Sequence, residues 1–360
     1  MTARHASPLA RYLAAAYALL VIYASLHPFS GWRDTGAPML DFLAAAWPRY
    51  YTVFDLVTNM LAYVPLGFLL VPALHPRLRL GIAAVLAAVV GLALSFSIET
   101  LQHFLPTRVP SNLDLACNGI GALTGAALGM NWGRALVDGG RLHALRMRLI
   151  VHGKAADFGL VLLGLWLLTQ LNPEILLFGT GDLRTLLGLE PLPYSAKRFL
   201  VIEAGVTAGG TLAAGLVAAL LLRTPRHWVL GILFMLALVI RGFAGALLVS
   251  AAQFGHWITP GNMLGLACGT LLLLPALLLP RLVQQVLAAL ALFFTTALVN
   301  LAPENPYLAA TLQVWQQGHF LNFNGLTRLV SSLWPFAALP FLMLPRGRRE
   351  GSPREKQNES

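Results

Sequence analysis

Residues 97–129 read SIETLQHFLPTRVPSNLDLACNGIGALTGAALG, and in this stretch charge interrupts two long apolar runs. Upstream, residues 79–96 are almost wholly apolar and reach Glu99 and Gln102. Downstream, Asp114 and Asn118 open a second apolar run that carries Gly121, Gly125 and Gly129. Small residues every fourth position let membrane helices approach backbone to backbone. A carboxylate costs ~2.5–3.5 kcal/mol at a span centre on insertion scales, so it belongs at a helix end or in a protein-lined site. The stretch therefore reads as one span ending, a short polar loop, and a second span beginning.

The whole chain has this character. Of its residues 57% are hydrophobic and 11% charged, against roughly 45–50% and 25% in soluble domains. The fold class expected is all-α, a polytopic membrane helix bundle of about ten transmembrane helices at 9–27, 54–74, 79–101, 113–136, 156–178, 199–222, 227–250, 260–280, 282–301 and 325–345. The first run lacks a small-residue cleavage site and is expected to be retained as a span. Alternating the loops puts Arg4, Arg11, Arg77, Arg79, Arg134, Arg141, Arg146, Arg148, Lys154, Arg223, Arg226, Arg281 and the basic tail on one side. Arg33, Arg49, Arg108, Arg184, Lys197 and Arg198 fall on the other. By the positive-inside rule both termini are cytoplasmic and the protein is a multi-pass protein of the cytoplasmic (inner) membrane, with the lipid bilayer as its first partner. The net charge of +10 lies in short loops between spans, a topology signal that gives no reason to expect nucleic acid.

That orientation gathers the unusual polar groups at the outer leaflet. Asp55 and Asn59 open the second span, Glu99 and Gln102 close the third, Asp114 and Asn118 open the fourth, and Arg108 and Ser111 lie between them. Spacings of three and four place each pair on one helix face. A guanidinium suits carboxylates because its planar fork matches them bidentately. The cluster is the expected ligand site, and several chemistries remain open. Arg108 with Asp114 would serve equally as a structural ion pair stapling the loop. Glu99, Asp114 and Asp55 would suit a divalent cation, although Arg108 would compete and hard cations want several convergent oxygens. One carboxylate beside another would make a general acid. Catalytic residues are not identifiable, because Ser97 and Ser111 have no evident activating histidine. No cofactor is expected, nor a resident metal. There is no nucleotide-binding loop and no HExxH, and Cys117 and Cys268 read as packing residues.

Asp55, Asn59, Pro65, Leu66, Gly67, Glu99, Gln102, Arg108, Ser111, Asp114, Asn118, Gly121 and Gly125 together resemble the VanZ-like family. That family is named for a small membrane protein linked to teicoplanin resistance. The resemblance covers about residues 10–135 and implies a membrane fold with a role in the cell envelope, in glycopeptide resistance or in envelope-glycan handling. It implies no agreed reaction. The corresponding partners are an envelope glycan, a lipid-linked precursor or a glycopeptide. A transporter or flippase, a membrane-embedded enzyme of lipid-linked precursors, and an assembly scaffold are the other classes. The domains expected are a VanZ-like unit at 1–137, a basic cytoplasmic linker at 138–155, a second bundle at 156–345 and a disordered cytoplasmic tail at 346–360.

The second bundle carries its own polar groups. Glu203 and Arg241 read as a buried pair, and Arg328 lies at the outer start of the last span. Trp315, His319 and Asn322 belong to an aromatic and amide-rich loop suited to sugar faces. The run from Pro110 to Cys117 has a short echo from Pro260 to Cys268, the mark of either a worn internal duplication or chance. The echo has no counterpart of Arg108 or Asp114.

Overall fold

The computed structural model describes residues 8–34, 36–47, 51–75, 77–133, 141–172, 174–224, 226–248, 254–303, 305–306 and 320–344. Among them every regular element is helical, apart from one isolated bridge between Ile150 and Leu222. The helices are α1 Leu9–Leu26, α2 Asp41–Ala44, α3 Val53–Leu74, α4 Leu80–Gln102, α5 Asn112–Leu128, α6 Arg141–Leu149 and α7 Lys154–Thr169. They continue with α8 Arg184–Leu187, α9 Ala196–Leu221, α10 His227–Leu248, α11 Pro260–Ala276, α12 Arg281–Asn300 and α13 Phe320–Met343. A helix is what an apolar segment forms in lipid, because only there does the backbone satisfy itself without water.

Eight of these helices are long and apolar enough to cross a membrane. Where the other two spans are expected stand helices that fall short of that length. α7 has 16 residues and α11 has 17. α7 stops at Thr169, short of the expected 178, because the sequence Asn172-Pro173 follows and the residue before proline avoids helical geometry. α11 carries Pro275 in its last turn and yields to non-helical backbone before Pro280.

Local chemistry sets the starts. Thr52 and Asp55 form a capping box at α3, Ser111 caps α5, and Thr259 caps α11 with Pro260 at its first turn. The first unit is held by α5 lying against α3. A Cβ on Gly121 would stand 2.1 Å from the Met60 carbonyl oxygen, and one on Gly125 2.0 Å from that of Val64. Gly129 faces the Phe68 carbonyl and Gly67 faces that of Ala122. These residues align in ascending order on both helices, so α3 and α5 run parallel with α4 packed against both.

In the second unit α9 is the axis. It is buried without interruption from Ala213 to Leu221 and carries α7, α11 and α12 around it. Trp166, Phe178 and Phe234 stack at its side with centroids 5.2–5.9 Å apart. α1 joins the two units by packing on α7 and α13. There the backbone of Gly325 lies so close to the His27 ring that a Cβ would come within 2.9 Å of it. Outward faces are apolar, with Leu19, Val85, Leu123, Leu271 and Phe293 exposed, as expected of surfaces that meet lipid. The expected tail at 346–360 lies outside the described residues.

Candidate functional site

At one end of the first unit, α1, α3, α4, α5 and the loop between α4 and α5 bring most of the expected residues together. Asn59 Nδ2 on α3 donates to Asp114 Oδ1 on α5 at 2.8 Å. Glu99, only 3% exposed at the end of α4, accepts from the Ser111 backbone N–H at 2.8 Å. Ser111 in turn accepts from the N–H groups of Leu113 and Asp114. Deeper in, Asn118 Nδ2 donates to Ser95 Oγ at 3.0 Å, beside Tyr63. Carboxylates therefore sit at the N-terminal end of α5, where the unpaired N–H groups and the helix dipole favour negative charge.

The guanidinium is used differently from the sequence-based expectation. Arg108 Nη2 donates to the carbonyls of His27 at 3.0 Å and Ala24 at 3.3 Å. Gln102 Nε2 adds a bond to the Ser25 carbonyl at 2.9 Å. Both side chains thus hold the C-terminal end of α1, whose last carbonyls have no partner within the helix. Burial lowers the affinity of Arg108 for its proton, while Glu99, close enough to feel its charge, opposes that shift. Burial and then the charge of Arg108 keep His27 below its usual 6.5. Arg108 Nε and Asn118 Oδ1 are enclosed with no hydrogen-bond partner among the described residues.

Asp55 has a local task. Its carboxylate accepts from the backbone N–H of Thr52 at 3.0 Å and from the Thr52 hydroxyl at 2.7 Å. Asn59, Gln102, Arg108 and Asp114 are only half-buried, so the cluster reaches the surface of the unit. No group of three or more His, Cys, Asp or Glu suited to a metal ion occurs among the described residues.

The second bundle distributes its charges differently. Glu203 accepts from the Thr259 hydroxyl at 2.7 Å and from the Gly261 N–H. Arg241, 3% exposed, donates to the carbonyls of Asn172 and Ile175. Arg328 stands 3.7 Å from Glu174. Trp315 and His319 lie outside the described residues, as does the side chain of Asn322.

Two features escaped the sequence reading. One is an ionic cluster in which Asp182 pairs with Arg184 at 2.7 Å near Arg328. Burial raises the Asp182 carboxyl, but the bonds and charge of Arg184, aided by Arg328, bring it below the ordinary range. The other is the connector from Leu176 to Gly181, which is non-helical and buried. Its backbone is satisfied by side chains: Asn300 binds the Gly181 carbonyl at 2.7 Å and Ser331 that of Gly179 at 3.3 Å. Non-helical backbone among spans survives where protein groups pair it. Its sequence signal was the run Gly179-Thr180-Gly181-Asp182 after an Asn-Pro break.

No curated protein and no solved structure matches the chain. A family model described as VanZ/LLP1 does match it, over residues 8–133. That span ends within the π-helical turn Gly129–Gly133 that follows α5, and it contains the whole polar cluster. The first helical unit, just over a third of this multi-pass membrane protein, is the part that matches the VanZ/LLP1 family.

Proposed function

We propose that the protein is a ten-span protein of the cytoplasmic membrane with both termini inside. In this reading the cluster on α3, α4 and α5 opens to the extracytoplasmic side. It engages a polar head group presented there, namely an envelope glycan, a lipid-linked envelope precursor or a glycopeptide, and serves resistance to teicoplanin-type compounds or envelope-glycan handling. One observation carries this reading. Carboxylate, amide and guanidinium from separate chain segments converge on a half-buried surface at one end of the unit. Such a set accepts from sugar hydroxyls and amides and donates to their oxygens. The enclosed Arg108 Nε offers a further donor. The excess of basic residues in the loops on the opposite side supports the orientation.

The test compares Arg108→Ala and Asp114→Ala with the unaltered protein at matched abundance, scoring glycopeptide susceptibility and the composition of the envelope glycan. The expected result is a change in one or both. Unchanged susceptibility and unchanged glycan would overturn the reading.

A transporter or flippase of lipid-linked precursors is the second reading, supported by the buried non-helical connector at 176–181. It requires substrate to move between leaflets in proteoliposomes of the purified protein. A membrane-embedded enzyme would instead require turnover that Glu99→Gln abolishes.

A further inference from the structure

Three contacts in the first unit recur in the second at one fixed offset in sequence, and a fourth keeps that offset in its acceptors alone. Asn59 donates to Asp114, and Thr207 donates to Asn262 at 2.8 Å. The offset is 148 residues (207 less 59), and it holds for both partners. Ser111 caps α5 and accepts from Asp114 N–H, while Thr259 caps α11 and accepts from Asn262 N–H. Gly121 abuts the Met60 carbonyl, and Gly269 abuts that of Ala208. Arg108 holds the carbonyls of Ala24 and His27, and Arg241 holds those of Asn172 and Ile175.

The last pair is independent of the other three, because its acceptors lie at the end of α1 and on the connector just after α7. The same offset carries Asp55 to Glu203 and Gly67 to Gly215, and each of these glycines lies against the neighbouring helix. It also carries the start of α5 onto that of α11, and the starts of α4 and α10 to within one residue. Unrelated helix pairs have no reason to share register, capping position and loop length together. The sequence echo at Pro110 and Pro260 implies a register two residues out, since Ser111 maps onto Thr259.

We infer that residues 154–276 are a second copy of the unit at 9–128, repeated in the same direction along the chain, and that this copy retains the polar site in a closed form. The charges come from other positions in the second copy, while the segment ends they bind correspond. At the offset from Glu99 stands Leu247 and from Arg108 stands His256. The carboxylate at the start of α11 comes instead from α9 as Glu203, and the guanidinium on the connector after α7 comes from α10 as Arg241. α10 does not repeat the packing of α4, and α12 lies against α9 in its place.

Closure is visible in the same residues. Asn59, Arg108 and Asp114 are half-buried, whereas Thr207, Arg241 and Asn262 are buried. The segment after α1, residues 28–33, is exposed, and the segment at the same offset, 176–181, is folded inward. The second site is thus filled by the protein's own carbonyls, hydroxyls and amides, which leaves the first as the open one of the two. This inference does not rest on the function proposed above.

The experiment uses the full chain in proteoliposomes with Cys117→Ala and Cys268→Ala. Spin labels are attached to single cysteines at two pairs of exposed positions separated by the offset, Val53→Cys with Val201→Cys and Leu123→Cys with Leu271→Cys. Depth is read from the balance of oxygen and nickel-chelate relaxation. The two members of each pair are expected at equal depth to within one helical turn, ~5.4 Å. Members in opposite leaflets, or more than a turn apart, would overturn the repeat. On the unaltered chain, a hydrophilic phenylglyoxal is expected to modify Arg108 and to spare Arg241 until the protein unfolds, read by peptide mass spectrometry. Modification of both at similar rates would overturn the closed state.

Discussion

Asn59 Nδ2 and Asp114 Oδ1 lie 2.8 Å apart, joining the two helices whose backbones meet at Gly121, Gly125 and Gly129. The polar pair and the glycine contacts are parts of one interface. Shape brings α3 and α5 together, and the bond fixes their polar end.

Asn59→Ala removes the amide donor to Asp114. A bond to a charged acceptor contributes ~1.5–3 kcal/mol in water-soluble proteins, and interhelical bonds in membranes average nearer ~0.6 kcal/mol. The half-buried position of this pair points to about 1 kcal/mol by the same scales. A melt of the purified protein in detergent is expected to drop by a few degrees. Asp114→Asn, which keeps the shape, is expected to melt close to the unaltered protein and yet to lose the envelope phenotype.

The glycine interface gives a sharper contrast. Gly125→Ala would put a methyl 2.0 Å from the Val64 carbonyl oxygen, a clash with backbone that has no rotamer to relieve it. Gly164→Ala on α7 meets nothing within 4 Å and removes a residue that costs ~1 kcal/mol in a helix interior. The first substitution is expected to abolish or strongly reduce folded protein, measured as the monodisperse peak after extraction. The second is expected to leave that peak intact or larger.

Arg108→Ala is expected to loosen the end of α1, because Ala24 and His27 each lose their donor. Hydrogen exchange should quicken in peptides covering the end of α1 and remain unchanged in α9. Arg108→Lys is expected to recover only part of the protection, since an ammonium cannot match the reach of a planar fork.

His27 gives the stability a pH dependence of known sign. Its folded value lies below 6.5, so the folded state binds fewer protons than the unfolded one. Its contribution is complete above 6.5 and falls as the pH drops through the lower folded value. Asp182 behaves likewise at more acid pH, contributing above 3.8 and losing that contribution as the pH falls through its depressed value. Melts taken from neutral pH downward should therefore decline in two stages, and His27→Gln should flatten the first.

Much of the fold was legible because hydropathy runs and helix geometry share one length scale. The start of α10 at His227 and that of α11 at Pro260 fall on the expected residues. The site was legible in part. Glu99, Ser111, Asp114 and Asn59 meet as their spacing suggests, since helix periodicity fixes which residues share a face. The target of Arg108 was not legible, because its partners are main-chain carbonyls on α1, more than eighty residues earlier in the chain. Main-chain acceptors leave no trace in side-chain identity. The role of Asp55 is legible in local spacing, since Thr52-x-x-Asp55 has the spacing of a capping box. The sequence suggests Arg241 as a partner for Glu203, yet Arg241 binds main-chain carbonyls and Glu203 binds the start of α11. The path of the connector after α7, which presents Asn172 and Ile175 to Arg241, follows from tertiary packing that spacing along the chain does not encode.

The most direct measurement of the central claim is the sidedness of the polar cluster. In a full-length chain carrying Cys117→Ala and Cys268→Ala, Arg108→Cys is treated in intact cells with a membrane-impermeant maleimide. Labelling without permeabilisation is predicted. Labelling that appears only once the membrane is opened would place the cluster on the cytoplasmic side and contradict the account.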